Sequence, residues 1–242
     1  MVIEWTSMGT FREGAADRAA WEARDIPAPV PAEPEAHRGL KPLPHADAES
    51  RSSDAMADHA MDRYASGDDA AFSELYDVLA PRLFAFLLRN TRNQSEAEDL
   101  VQQTMLKMHC ARGRFIRGAG VVPWAFSIAR RLVIDRARRS KVRGTTSDWA
   151  DSTDVLAQLA ALDLAADEVV HAKWLGEIIQ QALERLAPKN RLAFELVKQD
   201  GLTHAEAAKV LGTTVMAVKL RTHRSCATLR AALRRSLDAR GA

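Results

Sequence analysis

The side chains with the clearest chemistry are cations at helical spacing. Lys219, Arg221, His223 and Arg224 follow closely on one another, with Thr222 and Ser225 beside them. Arginine can bond a guanine edge through two parallel donors, and both lysine and arginine hold phosphate oxygens. A helix bearing them suits the major groove, with its N-terminal half against the base edges. Residues 207–237 hold seven bases and no acid, so nothing there repels a phosphate backbone. His223 is open to a second reading, as a solvated side chain on a polar face. A second cluster interleaves aromatics with arginines between Trp124 and Arg139. Aromatics can stack on unpaired bases and arginines can track a strand. For Trp124 and Phe126 a place in the core is the simpler reading.

Chemistry of the enzymatic kind has no comparable support. There is no P-loop, no H-E-x-x-H, no G-x-S-x-G and no paired Cys/His ligand set. The acids at 148–168 lack supporting histidines except His171. No enzyme activity, metal or cofactor is therefore expected.

The elements that must position these cations are helices. Thr203 and Glu206 form a capping box that starts a short helix, and Gly212 supplies the turn after Leu211. Thr213 or Thr214 caps the next helix, with Val215 and Val218 facing inward. Together these make a helix-turn-helix. Upstream, Ala71, Phe72, Leu75, Val78 and Leu79 recur at three- and four-residue steps, and Pro81 is expected to kink or restart that helix. Ser95–Glu98 reads as a capping box before Leu100, Val101, Met105 and Met108. Glycines 113, 118 and 120 mark a loop before Pro123, and a helix then runs from Trp124 to about Ser140. Its arginines are expected outside, with Ile128, Leu132 and Ile134 buried. Trp174, Ile178, Ile179, Ala182, Leu183 and Leu186 form one apolar stripe, which Pro188 ends.

The net charge of +2 hides strong segregation. Residues 1–60 hold eleven acids and six bases, 128–143 seven bases and one acid, and 144–172 six acids and no Lys or Arg. This acidic, basic, acidic, basic order fits a protein that touches DNA at two separated places. Six of nine prolines fall between Pro27 and Pro44, which favours an extended, disordered stretch. The expected organisation is all-α: a disordered acidic tail at 1–58, a helical domain at 59–143, a flexible acidic linker at 144–172 and a helix-turn-helix domain at 173–238. Trp5, Phe11 and Trp21 could form a short amphipathic helix in the tail, or nothing structured. Met56 and Met61 are candidate internal starts. Cys110 and Cys226 are too far apart in sequence to suggest a C-x-x-C site, and two cysteines make no disulfide scaffold. No apolar run is long enough to suggest membrane insertion, and the expected location is the cytoplasm.

Over residues 62–235 the chain resembles the extracytoplasmic-function (ECF) group of sigma-70 factors, promoter-specificity subunits of bacterial RNA polymerase. Asp68, Ala70–Phe72, Leu75 and Tyr76 look like the opening of sigma domain 2. Ala97–Lys107 looks like the surface that binds the β′ clamp, and Pro123–Arg139 like the helix that opens and reads the minus-10 element. The helix-turn-helix looks like sigma domain 4, which reads the minus-35 element.

The resemblance implies roles by position. Asp99, Gln102 and Gln103 would contact the polymerase clamp. Arg114, Phe115 and Arg117 would lie near a flipped minus-10 base, and Arg130, Arg131, Arg136 and Arg138 would hold the strand. Thr214, Lys219, Leu220, Arg221, His223 and Arg224 would face the minus-35 groove. Capture of a flipped base would offset an unstacking cost of a few kcal/mol. The implied partners are core polymerase (β′ clamp and β flap), promoter DNA and an anti-sigma protein, a membrane-bound one among the options; the implied setting is a stress response. The acidic linker would run near the RNA exit path, or be simply solvated. Three positions depart from the family pattern: His109 stands where Trp is frequent, Arg131 where Asn is frequent, and Leu220 where a small polar residue is common. The last two alter what is offered to a base edge. A stand-alone dimeric helix-turn-helix regulator would explain residues 172–238, but not Glu98–Lys107 or Trp124–Arg139.

Overall fold

A computed structural model describes residues 46–142 and 166–241. The tail up to residue 45 and the linker from 143 to 165 lie outside the described residues. Among the described residues every regular element is helical: α1 (Ala46–Ala65), α2 (Ala71–Thr91), α3 (Gln94–Ala111), α4 (Val121–Val142), α5 (Ala166–Glu184), α6 (Pro188–Phe194), α7 (His204–Leu211) and α8 (Val215–Gly241). Helix α1 begins inside the stretch expected to be tail, and α5 begins inside the expected linker. The first correction has a clear cause. Within that stretch Ala57 is buried and Asp54 is ion-paired with Arg82 of α2, and Ala60 and Met61 continue the buried face. The carboxylate of Asp58 also accepts from the backbone N–H of Val121 at 2.7 Å, capping the start of α4.

Helix α2 runs through Pro81 without interruption. Proline removes one backbone donor there, so the carbonyl of Asp77 loses its intrahelical partner. Burial of Leu75, Leu79, Leu83, Phe86 and Leu87 along one face keeps the helix whole despite that loss. Helix α3 is capped by Asn93 rather than by Ser95: the Asn93 side chain accepts from the N–H of Glu96 at 2.9 Å. Phe86 and Phe126 meet at 5.2 Å between ring centroids, joining α2 to α4. His109 lies at the edge of this unit. Partial desolvation and the nearby Arg112 hold its pKa below the ordinary value, and its Nδ1 is hydrogen-bonded to the Tyr64 hydroxyl. Arg112 stacks over the same Tyr64 ring at 4.9 Å.

The two halves share a core. Buried Ala193, Leu196, Leu202, Ala207, Ala208, Val210 and Val218 are continuous with the buried residues of α1–α4. A smaller cluster of Ala182, Leu183, Leu186 and Leu229 joins α5 to α8. The junction between the halves is also polar. Arg89 pairs with Asp200, Arg82 donates to the Asp200 carbonyl at 3.0 Å, and Arg92 pairs with Glu184 at 2.8 Å.

Candidate nucleic-acid and polymerase interface

The helix-turn-helix is built as its residues dictate. Thr203 accepts from the N–H of Glu206 at 3.2 Å, and Glu206 accepts from the N–H of Thr203 at 2.7 Å. Two of the open donors at the start of α7 are thereby satisfied. Gly212 ends the helix at φ 61°, a conformation a side chain disfavours. Thr214 is the residue that caps α8, accepting from Ala217 at 3.2 Å. Its hydroxyl keeps a proton to donate.

On α8, Met216, Lys219, Leu220, His223 and Arg224 are exposed on one side, and Arg221 is half-buried. Thr222 and Ser225 do not share that face. Both are buried, donating to the carbonyls of Ala193 at 3.5 Å and Asn190 at 3.1 Å. They bolt α8 to α6 and hold the exposed face outward. Helical register explains the difference: both residues fall on the stripe of Val218, not on that of Lys219.

Asp99, Gln102 and Gln103 are exposed together on α3, over a buried stripe of Leu100, Val101, Thr104, Met105 and Met108. Leu106 continues the exposed face, 55% accessible. Its register gives it away, since it lies with Gln102 and Gln103 rather than with Met105.

The arginines are less uniform than their spacing suggests. Arg114 and Arg117 are exposed in the loop, where Arg117 donates to Ser66 at 2.5 Å. Phe115 instead turns inward, 8% exposed, 5.4 Å from the Trp124 ring. Trp124 and Phe126 are core residues, as expected. Arg136 pairs with Glu96 of α3, and Arg138 lies 3.9 Å from Asp135. Arg130 and Arg131 are half-buried, and burial lowers the Arg130 pKa. Ile134 is only half-buried. Arg130, Arg131 and Arg138 line a groove of about 350 Å³ whose other wall is Lys209, Val210 and Gly212. The arginine helix thus packs beside the helix-turn-helix.

Two family models match in the order of this architecture: Sigma-70 region 2 over residues 75–143 and Sigma-70, region 4, over residues 176–229. The RNA polymerase sigma factor CarQ of Myxococcus xanthus is 32% identical over 170 residues, covering 70% of this chain and 93% of that protein. The chain belongs to the ECF sigma-70 family. The ECF RNA polymerase sigma factor SigF of Caulobacter vibrioides is likewise 33% identical, over 73% of this sigma factor and 93% of its own length.

Solved structures agree on the fold of this sigma factor. The sigma factor RpoE of Bartonella quintana, in complex with the anti-sigma factor NepR, matches at TM-score 0.53 and 26% identity, over 67% of this chain and 96% of that one. CnrH in complex with the cytosolic domain of CnrY matches at TM-score 0.53 and 24% identity, over 74% and 97%. Among the described residues no helix is long and apolar enough to cross a membrane, and no group of three or more His, Cys, Asp or Glu could hold a metal ion.

Proposed function

We propose that this ECF sigma factor binds core RNA polymerase through the exposed face of α3 and directs initiation at promoters carrying both a minus-35 and a minus-10 element. The observation that carries the reading is the joint presence, in one chain, of the Asp99–Gln102–Gln103–Leu106 face, the arginine helix beside it and an outward basic face on α8. Lys219, Arg221, His223 and Arg224 would meet the minus-35 groove, with Thr214 on a flanking phosphate and Leu220 among the bases. Arg114 and Arg117 would meet a flipped minus-10 base, with Phe115 supporting the loop from below. Arg130, Arg131, Arg136 and Arg138 would hold the melted strand.

Three of these arginines face the helix-turn-helix across the groove. Promoter binding in this reading therefore opens that contact, and the polymerase holds the two halves apart. The protein acts in the cytoplasm and is not an enzyme. An anti-sigma protein controls it by covering the DNA or clamp surfaces, a reading supported by the Bartonella quintana relative solved with its anti-sigma factor. The β flap is the expected contact for the domain containing α5–α8. The test is run-off transcription with core polymerase and a genomic promoter library. Promoter-specific RNA is expected with the native chain and its loss with Asp99→Ala/Gln103→Ala; an unprogrammed background with the native chain overturns the proposal.

A further inference from the structure

Two large apolar side chains stand in solvent where base edges are read. Met216 is 72% exposed and Leu220 is 47% exposed. They lie four residues apart on α8, so one sits above the other on a single face. Both belong to the first two turns, the part of such a helix that enters the groove. Helical side chains tilt toward the N-terminus, which carries these two toward the groove floor. Neither is needed for the fold: α8 is held by buried Val218, Thr222, Ser225 and Leu229.

The neighbours on that face are cationic. Lys219, His223 and Arg224 are exposed beside the pair, and no acid occurs between 207 and 237. A surface framed by cations suits a polyanion, and the apolar pair at its centre needs an apolar target within it. The major groove offers one such group, the C5-methyl of thymine.

Resting on the minus-35 reading above, we infer that Met216 and Leu220 form an apolar clamp that selects thymine by its methyl group, so that this sigma factor requires a T·A pair within its minus-35 element. The cations would hold register and phosphates, and the apolar pair would discriminate. Cytosine lacks the methyl and so forfeits that contact.

The experiment uses holoenzyme assembled from core polymerase and the full chain. Duplexes with a randomised minus-35 region are selected for binding. Each thymine of the enriched motif is then replaced by uracil, which removes only the methyl. One position is expected to lose affinity about fourfold, the scale of one buried methyl group. With Met216→Ala/Leu220→Ala the same replacement is expected to have no effect, while Lys219→Ala keeps the uracil penalty and weakens all sequences alike. Alanine is a strong helix former, so the exposed pair can be shortened without losing α8. A motif without thymine, or uracil accepted at every position, overturns the clamp and leaves the sigma reading standing. The clamp is equally overturned if the double variant keeps its base preferences but fails to join polymerase or an anti-sigma protein, because the patch then binds protein. If no motif is enriched at all, the sigma reading and the clamp fall together.

Discussion

The guanidinium of Arg89, on α2, is ion-paired with the carboxylate of Asp200, in the turn that leads to the helix-turn-helix. The Asp200 side chain is 3% exposed, so the pair is nearly dry on one side. Burial raises the Asp200 pKa in spite of Arg89, and one oxygen of the carboxylate has no partner among the described residues. Arg89→Ala would strand that carboxylate, with an expected loss of about 3 kcal/mol. Arg89→Met with Asp200→Leu should recover most of it, since neither charge is then left alone. Urea denaturation of the single and double variants measures the difference.

Glu195 gives the fold a pH dependence of unusual sign. It is 6% exposed, at the end of α6, and burial pushes its pKa up to about 7 against the pull of Arg89 and Arg191. Between its ordinary value and 7 the folded chain holds a proton that the unfolded chain releases. The contribution of Glu195 is therefore favourable in acid and is lost as the pH rises from about 4.5 to 7. The fall should be on the order of 3 kcal/mol. Glu195→Gln should flatten it, read as the difference between the two stability–pH curves.

Gly212 is required for its backbone and not for space. No atom lies within 4 Å of where a Cβ would sit, but φ is +61°. Gly212→Ala should cost about 1 kcal/mol. Gly212→Asn should cost less, because Asn tolerates the left-handed region. Thermal melts of the two variants give the ranking, and equal losses would point to packing instead.

Glu96 restrains an arginine that the minus-10 reading needs. It is ion-paired with Arg136, whose side chain is 44% exposed. Glu96→Gln should free that charge for phosphate. Affinity for a non-specific duplex is expected to rise, and the slope of log K against log salt to steepen by about 0.9. A salt titration that superposes on the native curve would show that Arg136 does not reach DNA.

Much of the site was legible because its signals are local. A capping box, a glycine at a turn and an apolar stripe each act within one or two turns, so Thr203, Glu206, Gly212 and Val218 could be placed from spacing alone. Register was ambiguous where two polar residues looked alike. Thr222 and Ser225 share composition with the basic face, yet they are buried and bonded to α6. Phe115 reads as an aromatic among arginines, yet it turns toward Trp124.

From the sequence alone came the helical class, the helix-turn-helix, the alternation of charge and the family. The first three follow from composition and short-range periodicity, which the chain carries into its folded state, and the family follows from the resemblance of its motifs. The tertiary structure alone decided that Asp54, Ala57 and Asp58 pack against the helices that follow, that the two halves share a core, and that Arg130 and Arg131 face the helix-turn-helix instead of open solvent. Arg89 and Asp200 are 111 residues apart. Their meeting depends on how two apolar surfaces pack, and no spacing rule along the chain contains that information.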